Sequence, residues 1–170
     1  DASNDQWELL SNQSEAMTPG RGYISTGAGE VTFSGTINVG TVTYSTANGY
    51  DNANSEFNLL GNPFPSALNI NEFLNDNPYL TAVYMWDDDG SANANGNDYQ
   101  TNDYVVVNQA GGLTPSVQGV TPAGTVGDYN IASCQGFFAQ NGTGTPVTNL
   151  QLQNDARTGT NNVFFKDEAE

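Results

Sequence analysis

Residues 87–98 read Asp-Asp-Asp-Gly-Ser-Ala-Asn-Ala-Asn-Gly-Asn-Asp, with four aspartates and three asparagines in twelve residues. Such side chains offer hard oxygen donors, and calcium takes about 6–8 oxygen ligands. Asp87, Asp89, Asn93, Asn95 and Asp98 supply those oxygens on a stretch that Gly90 and Gly96 allow to bend sharply. The run is not an EF-hand loop: Ala92 stands where the sixth-position glycine belongs, although Asp98 falls at the twelfth. Two readings stand. One is a calcium site drawing on those five residues, with Asp103 as a further ligand. The other is a solvated hairpin tip with no metal. The net charge of −16 favours the cation slightly, because a divalent ion relieves local repulsion.

A second chemistry lies beside the first. Sugars dock their apolar faces on aromatic rings and present hydroxyls to Asn, Asp and Gln. Tyr79, Tyr84, Trp86, Tyr99, Tyr104 and Tyr129 surround or punctuate the polar run. Trp86, Tyr99 and Tyr104, with Asp103, are the candidate ligand-binding residues. Tyr84 and Trp86 share one face of a strand, so both point in or both point out. For strand aromatics the core is the commoner destination.

Other chemistries are excluded by composition. The chain has no histidine and one cysteine, Cys134. Ser-His-Asp and Cys-His nucleophile systems are therefore absent, as are histidine-based zinc sites. Two carboxylates can hydrolyse a glycoside, but no spacing here singles out a pair. No enzyme is expected. Arg21, Arg157 and Lys166 are the only basic residues against 19 acidic ones, so the chain lacks the footprint that nucleic acid or an anionic membrane requires. Arg21 and Arg157 are expected to act as structural struts, since a guanidinium fork suits several acceptors at once.

The elements that must position these residues are mostly strands. Many Gly, Asn and Thr residues signal turns and β-structure, and 170 residues suffice for one domain with a real core. Alternation in Glu30-Val31-Thr32-Phe33 and Thr41-Val42-Thr43-Tyr44 marks half-buried antiparallel strands. Strands are expected near 7–10, 22–26, 30–37, 40–46, 56–60, 81–86, 103–108, 135–140, 147–153 and 163–165. One helix is expected at 70–76: Asn69 caps it, Glu72 follows three residues later, and Pro78 stops it. Ile70, Phe73 and Leu74 would face the core. The fold class is all-β, an antiparallel β-sandwich of jelly-roll-like kind. No run is long and apolar enough to insert in a membrane.

The chain also resembles itself. Trp7-Glu8-Leu9-Leu10-Ser11-Asn12 parallels Phe57-Asn58-Leu59-Leu60-Gly61-Asn62, and residues 17–24 parallel 131–138. This suggests an internal pseudo-repeat within the single domain 1–170. Copy one covers about 7–46 and copy two about 56–165, with an insertion at 63–130 that contains the acidic run.

Residues 57–66, Phe-Asn-Leu-Leu-Gly-Asn-Pro-Phe-Pro-Ser, resemble a module of large secreted and cell-surface proteins of Bacteroidetes. Tyr84-Met85-Trp86-Asp87, Ser133-Cys134-Gln135-Gly136-Phe137-Phe138 and Asn154-Asp155-Ala156-Arg157 follow in the order of that module. Pro19-Gly20-Arg21-Gly22-Tyr23 and Phe33-Ser34-Gly35-Thr36 look like its first half. The module commonly precedes a type IX secretion sorting tail. The resemblance implies an extracellular or cell-surface, non-catalytic β-module attached to adhesins or polysaccharide-degrading enzymes, with other domains of a larger parent chain as partners. No signal peptide is visible and Asp1 is not an initiator Met, which fits a piece of something larger. The expected function is polysaccharide binding by a calcium-stabilised carbohydrate-binding module. The alternative is a structural spacer or adhesion module with no glycan ligand.

Overall fold

A computed structural model describes residues 9–10, 14–25, 32–45, 57–87, 103–115, 122, 124–125, 128–142, 149–160 and 162. The fold is an all-β antiparallel sandwich with one short helix. In chain order its elements are β1 (Val42–Ser45), β2 (Phe57–Gly61), β3 (Ala67–Asn69), α1 (Ile70–Asp76), β4 (Leu80–Trp86), β5 (Tyr104–Asn108), β6 (Leu113–Thr114), β7 (Gly124–Thr125), β8 (Asp128–Ile131), β9 (Gly136–Asn141), β10 (Asn149–Leu152) and β11 (Arg157–Thr158). The larger sheet runs β2-β9-β4-β5-β6, a second runs β11-β3-β8-β7, and β1 pairs with β10.

Alternation assigns the faces of the larger sheet. Leu60, Val83, Met85, Val105, Val107, Phe137 and Ala139 point inward and are fully or almost fully buried. They meet Leu68 and Ile131 of the second sheet and Leu150 and Leu152 of β10 in one core. Helix α1 closes that core with Ile70, Phe73 and Leu74, all fully buried, as the sequence predicts. Its start is also as predicted, since the Glu72 amide donates to Asn69 Oδ1 at 3.0 Å. Phe73 meets the Phe137 ring edge-to-face at 5.5 Å. Burying each such ring contributes about 1.5–3 kcal/mol.

Asp76 ends the helix. Desolvation pushes its carboxyl above the ordinary carboxylate range, and the charges of Asp155 and Glu72 push the same way. Because the folded-state value is raised, the fold disfavours the charged form and gains stability as pH falls from neutral through that value. Asp76→Asn is therefore expected to raise the melting temperature at pH 7. That gain should shrink as pH falls through the acid range and the wild-type carboxyl takes up its proton. Paired thermal melts across this range check it, and an advantage that persists at low pH would contradict it.

Two segments differ from expectation. Residues 32–37 form no strand, although 30–37 alternates. Phe33, Ile37 and Val39 are at least half exposed, and the segment's described anchor is Asn38 Nδ2 donating to Pro63 O at 3.0 Å. Residues 22–25 form no regular strand either. They instead lie along the free edge of β2 through an Arg21–Leu60 bridge, with the Gly22 amide donating to Leu59 O and the Gly61 amide to Gly20 O. This approach requires glycine: a Cβ on Gly22 would lie 2.5 Å from Leu59 Cγ and 2.6 Å from Leu60 O. Strands β3, β6, β7, β8 and β11 were not expected. Of the strand expected near 7–10, residues 9–10 form none and 7–8 lie outside the described residues, as does the strand expected near 163–165.

Among the described residues no helix is long and apolar enough to cross a membrane.

Candidate functional site

The site is built on the β4–β5 pair. These consecutive antiparallel strands pair Trp86 with Tyr104 and Tyr84 with Val106, and residues 88–102 connect them. Pairing runs one step further, where the Asp87 amide donates to Asp103 O at 2.7 Å. Alternation then separates the predicted residues. Trp86 and Tyr104 stand half-buried on the outer face, away from Met85 and Val105, whereas Asp87 and Asp103 are fully buried.

Tyr84 and Trp86 share a face as expected, and it is the outer one, although the core is the commoner destination for strand aromatics. Asp103, named both as a ligand contact and as a further calcium ligand, is not beside Trp86 and Tyr104 on that face but fully buried with Asp87. Asp89, Asn93, Asn95, Asp98 and Tyr99 lie outside the described residues. Among the described residues no cluster of three or more Asp, Glu, His or Cys side chains is placed to hold a metal.

The outer face is aromatic across four strands. Phe57 of β2 packs edge-to-face on Tyr84 at 5.1 Å, Tyr84 on Tyr104 at 6.3 Å, and Tyr104 on Phe138 of β9 at 6.0 Å. Register explains the row, because Leu59, Phe138, Tyr84 and Val106 pair in sequence across β2, β9, β4 and β5. A cleft of about 120 Å³ opens beside it, lined by Tyr23, Ile24, Leu59, Trp86, Tyr104 and the Gly136–Phe138 stretch of β9. Among the described residues no charged side chain lines it. Tyr23 and Ile24 reach the cleft only because residues 21–25 dock on β2. The Tyr23 hydroxyl accepts from the Thr18 amide at 2.8 Å, and the Arg21 guanidinium lies over the Tyr23 ring at 5.6 Å.

One end of the outer face is polar. Gln140, two residues beyond Phe138 on β9, accepts at Oε1 from the Tyr84 hydroxyl at 2.7 Å, and the Thr81 hydroxyl lies 3.2 Å from Gln140 O and 3.3 Å from Oε1. Burial pushes the Tyr84 phenol up, so it remains a protonated donor well past neutral pH.

The motif residues 62–66 and 133–136 do different work. Asn62 Nδ2 lies 2.9–3.1 Å from the carbonyls of Ser66, Ile131 and Ala132, and its Oδ1 accepts from the Phe64 amide at 3.0 Å. Its backbone pairs with the facing turn, accepting from Cys134 and donating to Gln135 O. Cys134 carries that turn at φ 62°, left-handed for a non-glycine residue, and is exposed. Arg157 is a strut, as expected: Nη1 donates to Asn154 Oδ1 at 2.7 Å, Nε to Ser66 Oγ at 3.0 Å, and the guanidinium covers the Phe64 ring at 5.2 Å. These asparagine anchors are what sequence reasoning missed. The available signal was Asn62 immediately before Pro63-Phe64-Pro65, a segment whose backbone needs outside partners.

Fold and site together define a β-sandwich that buries one face of its larger sheet and lines the other with aromatic rings. Over residues 1–170 the chain matches the family described as Domain of unknown function (DUF8693), and it belongs to that family. No curated protein and no solved structure matches it.

Proposed function

We propose that this domain is a non-catalytic accessory module that binds polysaccharide through the outer face of its larger sheet. The observation that carries the reading is the row of rings beside an uncharged cleft, on a sheet face the core does not use. Half-exposed aromatic rings with polar groups at one end suit a pyranose, which has apolar ring faces and an equatorial belt of hydroxyls. The resemblance to secreted Bacteroidetes modules supports an extracellular or cell-surface setting beside other domains of a parent chain. Calcium is proposed as a structural partner of the β4–β5 connection. Asp87 and Asp103 stand at its two ends, where they can extend the oxygen set offered by Asp89, Asn93, Asn95 and Asp98.

Affinity electrophoresis and calorimetry on a panel of marine and plant polysaccharides test the binding. Retardation by at least one polymer is expected, weakened about tenfold or more in Trp86→Ala, since losing the buried apolar surface of an aromatic ring costs roughly 1.5–3 kcal/mol. Absence of retardation with every polymer, calcium present, would leave the spacer reading in its place. For calcium the readout is thermal. The melting temperature should rise with calcium and fall with chelator, by mass action on a ligand that binds only the native state.

A further inference from the structure

We propose that the aromatic face takes an uncharged glycan, and that Gln140 reads it by donating its amide hydrogens to a sugar oxygen. The inference rests on the glycan-binding reading and adds the ligand class and a specificity residue. Gln140 is half-buried on the outer face, directly opposite Phe57 in the β2–β9 register. Its Oε1 already accepts from the Tyr84 hydroxyl at 2.7 Å, while the single Thr81 hydroxyl proton is shared between Gln140 O at 3.2 Å and Oε1 at 3.3 Å. The Tyr84 bond sets the sense of the amide, so Nε2 faces away from it, and it has no acceptor among the described residues. An amide held in this way is a preorganised donor, and its fixed orientation lowers the ordering cost of binding. Phe57, 43% exposed, supplies an apolar surface next to it.

Charge sets the ligand class. Among the described residues the cleft lining carries neither acid nor base, Arg21 stands behind it over the Tyr23 ring, and the chain as a whole carries −16. A uronate or sulfate would enter a net repulsive field with no cation among the described lining residues to meet it. A neutral sugar escapes that field and still offers hydroxyl and ring oxygens to Nε2.

The experiment compares the domain on galactomannan, arabinoxylan and mixed-linkage β-glucan with the same domain on alginate and polygalacturonate. Retention by an uncharged polymer and none by the anionic pair is the expected result. Gln140→Glu keeps an acceptor for Tyr84 but replaces the donor with charge, and it should weaken binding about tenfold or more. Gln140→Met, uncharged and of similar length, separates donor loss from added charge and should bind as weakly. Retention by the anionic polymers alone, abolished in Trp86→Ala, would overturn the ligand class and leave the aromatic-face reading standing. Retention by none would overturn both. Wild-type affinity in Gln140→Met would remove Gln140 from the site.

Discussion

Replacing Asn62 with alanine is expected to destabilise the domain by roughly 3–5 kcal/mol, because buried polar partners left unmade each cost about 1–3 kcal/mol. The side chain is 2% exposed; its two amide hydrogens are shared among the carbonyls of Ser66, Ile131 and Ala132, and its Oδ1 serves the buried Phe64 amide. At about 2–4 °C per kcal/mol for a domain of this size, the melting temperature should fall by about 10 °C. Asn62→Asp should be no milder. It keeps the acceptor for Phe64 but turns a carboxylate toward three carbonyl oxygens. Thermal and denaturant melts of both variants decide the matter, and a fall of less than about 2 °C in Asn62→Ala would mean that the anchor carries little of the stability.

The second large effect is expected at Asn77, which is fully buried where α1 ends. Its Nδ2 donates to Phe73 O at 2.7 Å and to Gln151 O at 2.8 Å, and its Oδ1 accepts from the Gln151 amide at 2.8 Å. One side chain thus caps the helix and replaces a missing strand neighbour for β10. The Tyr79 hydroxyl sits 3.2 Å from the same Oδ1 and 2.5 Å from Asn149 O, closing the group from above. Asn77→Ala leaves three backbone groups without partners in the core and should cost roughly 3–4 kcal/mol. Hydrogen exchange gives a local readout: the Gln151 amide should lose protection first. Unchanged protection there would refute the assignment even if the global melting temperature fell.

Helix α1 was legible because its signals are local. Asn69, Glu72 and Pro78 mark its limits, and Ile70, Phe73 and Leu74 its inner side. Strands β4, β5 and β9 were legible from their apolar, β-branched and aromatic content. Which face of β4 would be buried was not legible. Leu80-Thr81-Ala82-Val83-Tyr84-Met85-Trp86 is apolar at nearly every position, so alternation gives no preference between its two faces. Only pairing with β9 and β5, together with the irregular register between Leu80 and Ala82, settles that Val83 and Met85 point inward. The opposite error arose at 30–37, where alternation is clear yet residues 32–37 join no sheet. A pattern states which face a strand would bury but does not supply a neighbour to pair with. Strands β3 and β8 were missed because their ends are held by distant side chains, Asn62 and Asn69, and not by patterning of their own. For the candidate site, the residue types at 86 and 104 pointed to the right strands. The separation of Asp103 from Tyr104 needed the register.

The asparagine anchors also bear on how the chain reaches this state. Asn62 joins carbonyls 69 and 70 residues away, and Asn77 joins a strand 74 residues away. Closing loops of that span costs chain entropy before any bond rewards it. The anchors are therefore expected to form after the sheets have met, as latches on an assembled sandwich and not as its nucleus. Their loss should show mainly as faster unfolding, with the refolding rate little changed. The lifetime of the closed state is then set in large part by two buried amides, neither of them on the aromatic face.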